Sequence, residues 1–202
     1  MGRTLRGLSG QIISKTVITD WTAVAQNAVA KSSVIDIKNG ASITLQAFLD
    51  TETAHTGTEF IVQTTKEDSG DEDWEDLVSF AALVGTANAE PITNNPLAAG
   101  STTITCDLTT GYTTGNAVLP WRAIEDATPV NSELIRQKGY TSNTSITILD
   151  GTANAHAVNT NMYNIAISEL IAIPVGVGRC ARVVVNNTYD SDGSTLNYRV
   201  VA

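Results

Sequence analysis

Residues 99–121 read A-G-S-T-T-I-T-C-D-L-T-T-G-Y-T-T-G-N-A-V-L-P-W, and residues 131–161 read N-S-E-L-I-R-Q-K-G-Y-T-S-N-T-S-I-T-I-L-D-G-T-A-N-A-H-A-V-N-T-N. Both pieces are short runs of Thr, Ile, Val and Leu broken by Gly and Asn. β-Branched residues suit a pleated, half-buried surface, and Gly and Asn supply the backbone conformations of tight turns. The stretch therefore reads as short strands joined by close turns, and it sets the class of the chain as all-β. It holds no nucleophile elbow and no phosphate loop.

The same pattern continues on both sides. Residues 16–19 (T-V-I-T), 33–37 (S-V-I-D-I) and 59–65 (E-F-I-V-Q-T-T) are strand-like, and Asn39-Gly40 is a strong turn signal. Ala41–Leu49 places Ile43, Leu45 and Ala47 on one face. Residues 20–33 fit a short helix capped by Asp20 or a pair of strands. In residues 74–83 the spacing of Trp74, Leu77, Val78 and Ala81 fits a helical turn, but the strands around it favour a strand with an irregular start. Residues 85–99 read as a linker, because Pro91 and Pro96 limit regular structure. Residues 162–174 form a long apolar strand or two with a bend. Residues 179–187 and 195–201 are two more strands, and D-S-D-G at 190–193 reads as the hairpin turn between them.

The expected fold is an immunoglobulin-like β-sandwich made of residues 16–87 and 162–202. Residues 88–161 are inserted in it as a small β-barrel, and residues 1–15 precede it as an extended arm. The Cys–Trp–Cys spacing of antibody domains is missing.

Composition narrows the function. Hydrophobic residues make up 42% of the 202, but aromatics only 5%, so the core must rest on Val, Ile, Leu and Ala. The formal net charge of −9 argues against nucleic acid as a partner. No run approaches the roughly 18 apolar residues of a membrane helix, and residues 1–11 lack the apolar centre of a signal peptide. Cys106 and Cys180 fall in different expected modules, so free buried thiols are expected rather than a disulfide.

The ordered pieces of residues 99–161 resemble a small β-barrel module that recurs in virion proteins of tailed bacteriophages. In that module a G-T-T-I-T strand leads to a G-(Y/F)-x-x-G-(D/N)-x-V turn. An (N)-S-E-x-x-R-V strand, a T-x-I-T-L strand and an A-H-x-x-(G/N)-T closing loop follow. Gly111, Tyr112, Gly115, Asn116 and Val118 match the turn; Ser132, Glu133 and Arg136 match the third piece; His156 matches the closing loop. Ser101 is an extra residue after Gly100, and Gln137 stands where the pattern has Val. The resemblance covers about a third of the chain.

The resemblance implies a structural virion protein, not an enzyme, without cofactor or resident metal. The closest class is a capsid decoration (cement) protein on the outer capsid surface, bridging neighbouring subunits of the major capsid protein. Such proteins often form homotrimers at local threefold positions. A tail, neck or head-fibre protein is the alternative within the class. A carbohydrate-binding β-sandwich module is the rival outside it, with an enzyme third.

Two segments carry the expected contacts. Residues 1–15 hold Arg3, Arg6 and Lys15 with no acidic residue, and Leu5, Leu8, Ile12 and Ile13 supply apolar surface. They read as the arm that binds the capsid or another subunit. Glu67, Asp68, Asp71, Glu72 and Asp73, followed by Glu75 and Asp76, form an acidic loop. Hard cations such as Ca²⁺ want several loop oxygens, but the spacing does not match D-x-[DN]-x-[DN]-G, and a solvated hairpin tip is the simpler reading. His55 and His156 are the only histidines. A structural histidine bonded across the barrel fits His156 better than a catalytic base. Glu133 and Arg136, three apart on a strand, face opposite sides.

Overall fold

Alternating aliphatic and polar residues build two antiparallel sheets and a short ribbon. The computed structural model describes residues 16–50, 54–55, 58–66, 73–81, 83, 85–107, 111–112, 119–188 and 195–202. Its first strands are β1 (Val17–Val24), β2 (Ala28–Lys31), β3 (Ile35–Asp36), β4 (Ala41–Leu49), β5 (Ala54–His55), β6 (Thr58–Thr65) and β7 (Glu75–Ala81). β8 (Gly85–Thr86), β9 (Ala89–Pro91), β10 (Thr103–Thr105) and β11 (Trp121–Glu125) follow, then one 3-10 turn at Pro129–Asn131. The chain closes with β12 (Glu133–Thr141), β13 (Ser145–Ile148), β14 (Asn161–Ile173), β15 (Cys180–Asn187) and β16 (Leu196–Val201).

The first sheet runs β1-β16-β4-β14-β11-β12-β13-β10, with β9 also on β14; the second runs β2-β15-β6-β7, with β3 on β15; β5 and β8 form the ribbon. The first four strands of the long sheet pack on the second sheet as a β-sandwich. Ile43, Leu45, Ala47 and Leu49 of β4 meet Phe60 and Val62 of β6 and Val183 and Val185 of β15. These side chains are 0% exposed. Each aliphatic so enclosed contributes about 1.5–3 kcal/mol relative to exposure.

Several local readings change. Residues 20–33 are strands, but β1 and β2 do not pair with each other. Asn27 takes a left-handed backbone (φ 55°), which Asn tolerates, and the chain crosses from one sheet to the other. Likewise β15 and β16 lie in different sheets, so D-S-D-G does not close a hairpin; residues 189–194 themselves lie outside the described residues. In an immunoglobulin constant domain the last strand lies beside the penultimate one; here it sits between β1 and β4. In β7, Val62 and Gln63 of β6 face Val78 and Asp76, so Leu77 is the extra residue of a bulge. That bulge is the source of the helix-like spacing.

Residues 85–99 are not a linker. β9 pairs with the start of β14, and Ile92 and Leu97 are buried core. Pro91 is tolerated because β9 pairs on one side only, where a missing N–H costs least.

The inserted region has its own core, formed by Ile92, Leu97, Ile104, Tyr112, Ile124, Ile135, Ile146 and Met162 among others. Its strands extend the first sheet and wrap round, helped by a bulge at Lys138 where β12 leaves β11 for β13. The ladder does not close into a barrel. Among the described residues, the gap between β10 and the chain after β9 is spanned by an Ile92–Cys106 bridge and the Thr93 N–H to Thr105 carbonyl bond of 2.8 Å. β14 serves both parts: its first residues carry β9 and β11, and residues 166–173 pair with β4. Phe48 stacks on Tyr163 (5.6 Å) and meets Trp21 edge-on (5.1 Å), filling the junction.

Candidate functional site

The residues that carried the sequence pattern converge on the inserted module. β11 ends at Glu125, and Asp126 then accepts the Thr128 N–H at 2.9 Å, which turns the chain into the 3-10 segment. Ser132 ends that segment; its Oγ accepts the Asp126 N–H at 2.9 Å, and its carbonyl accepts Trp21 Nε1–H at 2.8 Å. Glu133 then starts β12 with its carboxylate beside Asp126. Into this corner comes His156, fixed by backbone bonds in both directions with Leu97 (2.9 and 3.0 Å).

The His156 ring is wholly enclosed. Its Nε2 lies 2.7 Å from Glu133 and its Nδ1 3.1 Å from Asp126. Facing two carboxylates, the ring is placed to donate from both nitrogens, an arrangement that favours the imidazolium. Burial works against that charge, but the bonds and charges of Glu133 and Asp126 outweigh it and raise the pKa above its ordinary 6.5. For Asp126, burial opposes ionisation, but the Thr128 N–H and the His156 ring together bring its pKa below the usual carboxylate value. Glu133 also accepts the N–H groups of Ala153 (2.7 Å) and Asn154 (3.2 Å). The cluster thus ties β11, β12 and the closing loop at one point. With both nitrogens held and no face open, His156 is placed as a pin, not as a base toward substrate.

A second buried network stands at the other end of the module. Arg122 donates from Nε to Gln137 Oε1 (2.6 Å) and from its terminal nitrogen to the Asn164 carbonyl. Gln137 in turn donates to the Tyr112 carbonyl, and the guanidinium lies 5.2 Å from the Tyr112 ring. Burial pushes the arginine down to about 10, which leaves it charged at neutral pH. The Gln137 amide satisfies the buried Arg122 cation, which an apolar side chain at this position could not do. The Tyr112 hydroxyl lies 2.5 Å from the Met162 carbonyl and 2.8 Å from the Asn88 carbonyl, and its single proton can serve either. Gly111 holds φ +83°, and a Cβ there would lie 2.0 Å from Asn164 Nδ2, so a side chain at this turn is strained and must displace the Asn164 amide.

The other expected residues separate. Arg136 points away from Glu133 and stacks on Trp121 at 5.0 Å. Cys106 and Cys180 are buried free thiols, and burial pushes the Cys106 thiol up to about 12. Gly115, Asn116 and Val118 lie outside the described residues, as do Arg3, Leu5, Arg6, Leu8, Ile12, Ile13 and Lys15 of the expected arm and Glu67, Asp68, Asp71 and Glu72 of the acidic loop. Asp73 is described and exposed. Among the described residues no group of three or more His, Cys, Asp or Glu is arranged to hold a metal ion, and no helix is long and apolar enough to cross a membrane.

Sequence reasoning missed Asp126, Arg122 and Asn164. Only Asp126 left a signal: D-A-T-P at 126–129 is an Asp-initiated turn before a proline. No family model matches the chain, and no curated protein or solved structure matches it.

Proposed function

We propose that this chain is a structural virion protein of a tailed bacteriophage: a capsid decoration protein that binds the outer capsid surface and bridges subunits of the major capsid protein. One observation supports this reading most. Five described residues that carry the resemblance, Gly111, Tyr112, Ser132, Glu133 and His156, hold the module together, and Arg136 stands apart on Trp121. Gly111 makes a left-handed turn that favours glycine, Tyr112 and Ser132 tie strands, and Glu133 and His156 form the buried pin.

The mechanism is passive. Each copy adds buried area across a capsid seam, and residues 1–15 extend the contact beyond the body. Copies gather as a homo-oligomer, with a trimer favoured by the symmetry of such shells. A tail, neck or head-fibre position is the alternative. A carbohydrate-binding module has less support, because each tryptophan already has a partner: Trp21 meets Phe48, Trp74 lies under Arg182 at 4.2 Å, and Trp121 lies under Arg136.

Co-sedimentation with particles stripped of this protein tests the reading. Full-length protein should bind saturably, and a variant lacking residues 2–13 should bind at least several-fold more weakly. Absence of full-length protein from the particle pellet would remove the capsid reading. Equal binding by both proteins would move attachment from the arm to the sandwich.

A further inference from the structure

The face of the long sheet that turns away from the sandwich core carries a small polar cavity. In β4, Ala47 and Leu49 point into that core, so Phe48 between them points outward. Phe48 pairs with Asn197 of β16, and Asn197 pairs with Ala23 of β1. Directly opposed residues share a face, so this row looks outward together. The Trp21 indole, bonded to the Ser132 carbonyl at 2.8 Å, ties β1 to the end of the 3-10 turn beside the row. Between row and turn lies a cavity of about 140 Å³, walled by Trp21, Phe48, Glu125, Asp126, Ser132 and Asn197 and by the exposed Ala23 and Pro129. Sites for whole small molecules start at about 300 Å³. This one has room for the end of a single side chain.

Its charge is one-sided. Glu125 accepts the Tyr163 hydroxyl at 2.9 Å, and Asp50 accepts Asn197 Nδ2–H at 3.1 Å. No lysine or arginine pairs with either carboxylate among the described residues. The nearby His156 ring is already held by Asp126 and Glu133. Burial pushes Asp50 up to about 6, with the Glu125 charge adding to the rise and the Asn197 bond opposing it. A cation is what this corner lacks. The Asp50 bond also orients the Asn197 amide. It engages Nδ2 and leaves Oδ1 open to the cavity, without a donor among the described residues. Asn197 is only 8% exposed, so few waters reach that oxygen and a fitting donor gains by meeting it.

We propose that this cavity receives the guanidinium end of an arginine side chain presented by a partner protein. Glu125 supplies the opposite charge, and Asn197 Oδ1 supplies a second acceptor. A planar fork of donors can reach both, which a point-like ammonium does less well. Trp21 and Phe48 give the apolar stem and the cation an aromatic wall. The proposal names the chemistry of one contact, and it stands whether or not the partner belongs to a capsid.

Titration of isotope-labelled full-length protein with N-acetylarginine methylamide, followed by NMR, tests it. The Trp21 indole N–H resonance should shift saturably. The matching lysine compound should bind more weakly, and the norleucine compound, which keeps a stem without the charge, should not bind. Glu125→Gln still accepts the Tyr163 hydroxyl, so thermal unfolding should be unchanged while affinity for the arginine compound falls roughly tenfold. Equal binding of the norleucine compound, or unchanged affinity in Glu125→Gln, would overturn the proposal. A full-length variant with Arg3→Gln, Arg6→Gln and Lys15→Gln separates the sources of the cation. Unchanged affinity in that variant supports an arginine from a partner. A clear gain would mean that the chain's own basic residues compete for the cavity, and would overturn the partner as its source. Absence of a saturable shift in both chains would overturn the site itself.

Discussion

In the sandwich, β4, β6, β15 and β16 bring alternate aliphatic residues to one large apolar layer, with Ser32 and Asn187 buried beside it and bonded to backbone. The inserted module encloses fewer apolar side chains and sets charged and polar groups among them: Arg122, Gln137, Ser132 and the His156 cluster are all buried. The difference is one of failure mode. An apolar core loses stability in proportion to the volume removed. A polar core depends on complete pairing, because one lost partner strands another group away from water. The module should therefore be specific and brittle, and the sandwich tolerant.

The largest effect expected from breaking this contrast is at the pin. His156→Ala leaves Asp126 and Glu133 facing each other without a cation, a loss of about 3–5 kcal/mol. Denaturant unfolding should report that loss, and hydrogen exchange should confine it to residues 92–162. A loss below about 1 kcal/mol would mean that the cluster is solvated rather than pinned.

Gly111→Ala comes next. It forces a side chain into the left-handed region and against Asn164, at a cost of about 1–3 kcal/mol, again in the module. Unchanged unfolding would show that the turn relaxes freely.

A smaller effect comes from pH. The His156 pKa is raised in the folded protein, so its contribution is fully present below the unfolded value near 6.5 and is lost as pH rises through the folded value. Urea midpoints measured from pH 6 upward should fall more steeply for the native chain than for His156→Gln. Parallel curves would contradict the raised value. Asp126, whose pKa is lowered, acts in the opposite direction: its contribution is present above its unfolded value and is lost at acid pH.

The smallest effect is expected where the cores are separate. No buried residue of the sandwich cluster lies between positions 88 and 160. Replacing residues 88–160 with a short Gly/Ser loop should leave a sandwich that unfolds cooperatively, weakened mainly where Phe48 and Tyr163 lose cover. Loss of the cooperative transition would show that the shared strand β14 makes one folding unit of both parts.

The contrast also explains what the sequence could reveal. Alternation exposed Ala41–Leu49 to the residue and placed Ile43, Leu45 and Ala47 inward, because a strand buried on one face carries its own period. It could not show that β2 and β16 each leave the sheet of the preceding strand. Turn residues report local geometry, whereas sheet membership depends on distant partners. Residues 85–99 were misread for a related reason: two prolines mask a segment that holds core Ile92 and Leu97 through single bridges, without a long ladder. In the module, Glu133 and His156 stood out through the resemblance, while Arg122 and Asn164 carried no period or motif. A buried polar network is a three-dimensional match, and its members need no regular spacing.

The central claim concerns where this chain works, and the most direct test is its position and copy number in purified particles, by quantitative mass spectrometry together with a particle map. The proposed role predicts many copies on the outer shell, repeating in step with the capsid lattice and touching the major capsid protein. A few copies confined to the neck or tail, or absence from the particle, would contradict it.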